Sequence, residues 1–156
     1  MFSDGALYEP FPLLRARLYQ AMGDRQKARA TFNAARAVIA DSVAADPTDP
    51  RRRIPLGLAY AGLGRTTEAV REARRALELA PIAKDAGLAT VVMGGAAEVF
   101  AQAGKSDEAL ELLELLFSMP AGRTVTAALL RVWPGFDPLR KDPRFEDLLN
   151  RFAAAR

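Results

Sequence analysis

Interleaved acids and arginines, together with a few close-set glycines, are the residues of this chain that invite a chemical reading. Glu68, Glu72 and Glu78 alternate with Arg71, Arg74 and Arg75, and Asp107, Glu108, Glu111 and Glu114 form a second acidic run. Two carboxylates can divide acid and base work when their environments differ. Here the spacing is that of neighbours on a helix surface, so the pairs read as solvated faces worth about 0.2–0.5 kcal/mol each. Gly62-Leu63-Gly64-Arg65 and Gly94-Gly95 would cradle a phosphate only between a strand and a Lys-Ser/Thr step, and neither has that setting. Histidine and cysteine are absent. Their absence excludes zinc held by His or Cys, a thiol nucleophile, Ser-His machinery and disulfides. No catalytic residue, metal ligand or cofactor site emerges, and the chain reads as a non-enzyme.

Composition leaves an ordinary globular protein. Half of the 156 residues are apolar and 26% are charged, a balance that can build one core. The net charge is +3, and 13 Lys/Arg against 9 Asp/Glu fall in residues 1–80. A phosphate-binding stripe needs bases clustered with few acids among them. Acids are interleaved here almost throughout, which disfavours nucleic acid as a partner. No apolar run approaches the roughly 20 residues of a bilayer span. Met1-Phe2-Ser3-Asp4-Gly5 lacks the basic and apolar regions of a signal peptide. The expectation is a cytoplasmic chain with no membrane association.

Three segments repeat one pattern. Tyr19, Gly23, Ala28, Phe32 and Ala35 share their spacing with Tyr60, Gly64, Ala69, Ala73 and Ala76, and with Phe100, Gly104, Ala109, Leu113 and Leu116. An aromatic precedes a glycine by four residues and an alanine by nine. Each glycine is suited to close a helix in the left-handed conformation. Each alanine lets the next helix approach its predecessor, and each aromatic fills the space between hairpins. One hairpin cannot bury its apolar face alone, so several must stack. Tyr19, Tyr60 and Phe100 are therefore expected in the core rather than as a ligand-stacking set.

The helices are predicted at about 10–21, 25–45, 51–63, 66–79, 85–103, 106–117, 123–131 and 143–154. The repeat interval is 40–41 residues, longer than the roughly 34 of the usual helix–turn–helix unit. Residues 37–49 and 82–89 hold the excess, the first prolonging the second helix and the second the start of the fifth. Asp49 with Pro50 reads as a cap followed by a first-turn proline, as does Asp142 with Pro143. Ser106 is expected to cap the sixth helix. Pro55 sits awkwardly inside the third helix, which implies a start near Ile54 or an irregular first turn.

Leu56-Gly57, Tyr60, Gly64, Ala69, Ala73, Ala76 and Pro81 follow the order of the tetratricopeptide pattern. The chain resembles the tetratricopeptide repeat (TPR) segment at the C-terminus of bacterial signalling proteins that carry a kinase, nucleotide-cyclase or winged-helix regulator domain. The resemblance runs over roughly residues 10–150. It rests on residues 56–65, on Leu79-Ala80-Pro81-Ile82-Ala83-Lys84-Asp85-Ala86, and on Asp137-Pro138-Leu139-Arg140 with Asp142-Pro143-Arg144-Phe145. Phe136 and Trp133-Pro134 depart from the residues commoner there. The resemblance implies an all-α, right-handed superhelical solenoid of about three hairpins, residues 9–46, 50–82 and 85–120. Capping helices in 121–156 would complete a single domain, with Trp133, Phe136, Leu139, Phe145 and Leu148 closing the last apolar face; the alternative is that Trp133 and Phe136 stay exposed and anchor a partner.

In such a stack the first helices line a concave groove. That projection places Leu13, Leu14, Arg17 and Gln20 there, then Arg51, Ile54, Leu58 and Ala61, then Val91, Gly94, Glu98 and Gln102. The groove is expected to be shallow and apolar, fit for a helix or an extended peptide of a protein partner. The implied role is the regulatory or scaffolding part of a larger signalling protein. The alternative is a structural or self-associating domain that orients a separate catalytic or DNA-binding domain, with homo-oligomers left open.

Overall fold

In a computed structural model the described residues are 10–119 and 125–154. They form α1 (Phe11–Ala21), α2 (Arg25–Ala45), α3 (Pro50–Gly62), α4 (Thr66–Leu79), α5 (Ala86–Gln102) and α6 (Ser106–Ser118). After these come α7 (Ala127–Val132), a 3₁₀ segment (Pro134–Lys141) and α8 (Pro143–Ala154). Among the described residues there is no strand. Pairs α1–α2, α3–α4 and α5–α6 are antiparallel hairpins, and each hairpin packs on the next. The result is an all-α, tetratricopeptide-like solenoid.

The turn inside each hairpin is the same object three times. Gly23, Gly64 and Gly104 have φ of 74°, 75° and 74°. The amides that follow them, of Asp24, Arg65 and Lys105, donate to the carbonyls of Tyr19, Tyr60 and Phe100 at 3.0, 2.9 and 2.8 Å. The glycine amides donate to Gln20, Ala61 and Ala101 at 3.0, 2.9 and 3.1 Å. This pair of bonds satisfies carbonyls that the ended helix leaves open, and it requires a left-handed residue. The aromatic stands four residues before the glycine because its carbonyl accepts from the amide one residue after that glycine, five residues on.

Equivalent positions in the next helix are buried throughout: Ala28, Ala69 and Ala109, then Phe32, Ala73 and Leu113, then Ala35, Ala76 and Leu116. Successive hairpins meet through small residues. A β-carbon on Gly57 would lie 3.1 Å from the Val99 side chain, and one on Gly62 would lie 2.5 Å from the Phe32 ring. Each large side chain so enclosed contributes about 1.5–3 kcal/mol of apolar burial. Phe100 and Tyr60 are buried, whereas Tyr19, on the first of the described hairpins, is only partly covered.

Several local expectations need correction. Helix α3 begins at Pro50 and continues through Pro55. The Asp49 carboxylate accepts from the Arg51 amide at 3.0 Å, and Pro55 lies early enough to remove only one helical bond. Residues 82–85 form a turn and loop, and α5 starts at Ala86 behind an Asp85 cap that accepts from Leu88 N–H at 2.9 Å. Ser106 is the first residue of α6 and does not cap it; Lys105 holds the cap position without a side-chain bond. Glu72 is buried rather than solvated, and receives Arg53 Nη1 at 2.9 Å. Arg53 reaches it from α3, a contact that no pattern of neighbours within α4 reveals.

The C-terminal elements close the third hairpin. Phe136, Leu139, Phe145 and Leu148 are buried, as a terminal cap demands. Phe136 stacks near Phe145 with centroids 6.3 Å apart, and Phe117 of α6 stacks on Phe152 of α8 at 4.8 Å. Arg144 and Arg151 of α8 reach Asp107 and Glu114 of α6 at 2.8 and 3.0 Å. Trp133 is the exception among the expected capping residues, with 36% of its surface exposed. The expected helix over 123–131 is seen as Ala127–Val132; Pro120 and residues 121–124 fall outside the described residues, as do 1–9 and 155–156.

Candidate protein-binding groove

The first helices of the three hairpins face one concavity of about 890 Å³. Leu14, Arg17, Gln20 and Ala21 come from α1, Leu58 and Gly62 from α3, and Glu98 and Gln102 from α5. Phe32 of α2 shows at its floor because Gly62 presents no side chain there. The fourth wall is the chain's own tail, Trp133 to Gly135 with Asp137, Pro138 and Lys141.

That wall is held by polar contacts from α5. Gln102 Nε2 donates to the Gly135 carbonyl at 2.7 Å. Glu98 is buried, and a β-carbon on Gly135 would run into its carboxylate. Only glycine lets the tail backbone come this close. Arg17 Nη2 donates to Glu98 Oε1 at 2.5 Å, and its guanidinium lies 5.3 Å from the Trp133 ring centre. The pair is largely shielded from water, and Arg stacks well on an indole. Arg17, Glu98 and Trp133 thus tie α1, α5 and the tail together across the concavity.

Of the groove residues expected from the repeat, Arg17, Gln20, Leu58, Glu98 and Gln102 are brought together here. Leu13 is not available to a ligand: it is fully buried, one turn before Ala16 on the face packed into the core. Ile54 is buried for the same reason. Arg51 lies in a different shallow cleft with Asp46, Thr48, Asp85 and Leu88, where it caps its own turn by pairing with Asp49 at 3.0 Å. Ala61 is half-buried against the core beside the groove. Gly94 faces Val125, 3.3 Å from where its β-carbon would be. The residues that sequence reasoning missed are Ala21, Phe32, Gly62 and the tail. For Gly62 the signal was present, since a glycine two residues before the turn glycine has no conformational duty.

Tetratricopeptide-repeat families match the chain twice, over residues 56–82 and over residues 90–114. These two stretches are tetratricopeptide repeats. The first match spans most of α3 and all of α4, and the second takes in most of α5 and α6. Tetratricopeptide hairpins suggest a protein-interaction or scaffolding module, and the family is typically non-catalytic. Nothing matches the chain among curated proteins, and nothing among solved structures. No helix among the described residues is long and apolar enough to cross a membrane. No group of three or more Asp or Glu residues among them is arranged to hold a metal ion.

Proposed function

We propose that this tetratricopeptide-repeat protein holds a short segment of a partner protein in the concavity between α1, α3 and the tail. The observation that carries this reading is the convergence of Arg17, Gln20 and Leu58 with Phe32 and Trp133 around one open, largely apolar hollow. Such a hollow offers a few anchoring pockets with polar groups at its edge, the form in which peptides are recognised. Because Glu98 and Gln102 already hold the tail, the segment lies toward α1 and α3 rather than along all three hairpins. Two or three apolar side chains over Phe32 and Leu58 would fill it. The resemblance to C-terminal segments of bacterial signalling proteins supports a regulatory or scaffolding role in a larger protein.

Selection of a random peptide library on the immobilised chain tests the groove. Enriched peptides should share apolar anchors and lose at least tenfold in affinity on Gln20→Trp, which fills the hollow from an exposed position, and on Leu58→Glu. An Arg29→Glu variant on the outer helix should bind them unchanged. Peptides that bind all three variants alike would remove the groove from the account.

A further inference from the structure

Helix α1 carries an exposed apolar stripe that the rest of the stack explains. Phe11, Leu14, Leu18 and Met22 are 69%, 51%, 58% and 68% exposed, and their spacing keeps them within about a quarter of the helix circumference. Superposing the repeats on Tyr19, Tyr60 and Phe100 gives each residue its counterparts. Leu18 corresponds to Ala59 and Val99, which are fully buried, and Leu14 to Pro55 and Gly95, which are also buried. In α5 the residue in the Leu18 position, Val99, is enclosed because it packs on Gly57 of the preceding hairpin. In α3 the residue two after the aromatic, Gly62, receives the Phe32 ring from the preceding hairpin's second helix. On α1 the same two positions are Leu18 and the exposed Ala21.

We propose that this stripe docks an amphipathic helical hairpin of a partner protein, stacked on α1 in the register that α3 and α5 use on their predecessors. The register specifies the partner. It presents Gly or Ala over Leu18 and a large apolar residue over Ala21. Charge specifies it further. The α1–α2 hairpin holds six basic residues, Arg15, Arg17, Arg25, Lys27, Arg29 and Arg36, against Asp24 and Asp41. A second copy brought face to face would oppose these charges, whereas an acidic hairpin complements them. This surface meets the concavity at Leu14 and Ala21, whereas Leu18 lies outside the groove lining, so a Leu18 variant tests the stripe apart from the groove.

Residues 86–118 of the chain supply a matched probe. They carry Ala97 and Leu113 at the two specified positions, and five acids, Glu98, Asp107, Glu108, Glu111 and Glu114, against Lys105. This hairpin, fused ahead of Met1 in the otherwise complete chain, should raise the thermal midpoint by about 5 °C or more. Leu18→Glu should abolish the rise, as should Ala97→Trp in the added copy alone, while Leu18→Glu leaves the unfused chain's midpoint unchanged. A fusion with no gain, or a gain that survives both variants, overturns the proposal. So does loss of stability in the unfused Leu18→Glu chain, which would assign the stripe to a segment of the chain itself. Sedimentation showing a dimer of the unfused chain that Leu18→Glu dissolves would make a second copy the occupant, and overturns it equally.

Discussion

At Gly64 no heavy atom lies within 4 Å of where a β-carbon would project, and φ is +75°. The cost of a side chain there is purely conformational. Gly64→Ala should therefore lose about 1–2 kcal/mol in urea unfolding, and a D-alanine introduced by semisynthesis should lose almost none. Gly62, two residues earlier, is the converse case. It is an ordinary helical residue whose β-carbon would strike the Phe32 ring at 2.5 Å. Gly62→Ala should also destabilise, but the loss should shrink when Phe32 is shortened to Leu, whereas the Gly64→Ala loss should not change. The repeat marks Gly64 as the turn glycine and leaves Gly62 without a conformational duty. Backbone conformation fixes the first as glycine, and the closeness of α2 fixes the second.

Helix ends and connectors carry the acid sensitivity of the elements. Asp24 sits below its ordinary value of 3.8 because its carboxylate accepts from the Lys27 amide. Asp142 is lowered chiefly by the Arg144 side chain. At Asp49 burial pushes upward, but the Arg51 side chain and amide outweigh it and the net direction is down. A carboxylate lowered in the folded state binds fewer protons than in the unfolded chain, so its stabilisation is complete at neutral pH. It is lost as the pH falls below about 4 through the folded values. A thermal midpoint followed from pH 6 to pH 2 should stay level and then drop, and Asp49→Asn should flatten part of that drop. At this scale the sequence was highly legible. Helices α1–α6 and α8 begin and end within one residue of the boundaries that periodicity, prolines and glycines predict. The departures have physical causes. Pro55 is tolerated because it removes a single bond near the start of α3. Residues 134–141, between the predicted helices, wind as 3₁₀ because Pro134 and Pro138 break up the amide series, and their place against α5 depends on a tertiary fit at Gly135 that no local pattern encodes.

The described residues form a stack with unequal ends. Phe136, Leu139, Phe145 and Leu148 close the C-terminal end, while α1 leaves its stripe open. The concavity is shared between hairpins and tail, and Gly135 is where the two meet. Gly135→Ala would drive a methyl into Glu98 and should release residues 133–141 from α5. The expected result is a stability loss of about 1–3 kcal/mol with new proteolytic cleavage near Arg140 and Lys141; unchanged cleavage would show that the tail is held by Phe136 and Leu139 alone. The groove residues were only partly legible because the repeat places side chains on the inner face but says nothing of what lies over them. Leu13 and Ile54 turned inward, and Glu98 and Gln102 were engaged by the tail. Trp133 has one further consequence. It is the sole tryptophan of the chain, about a third open to water and set beside a guanidinium at the rim of the hollow. Its indole emission, in both colour and intensity, therefore gives the protein an intrinsic optical gauge of whatever enters beside it, without any attached dye.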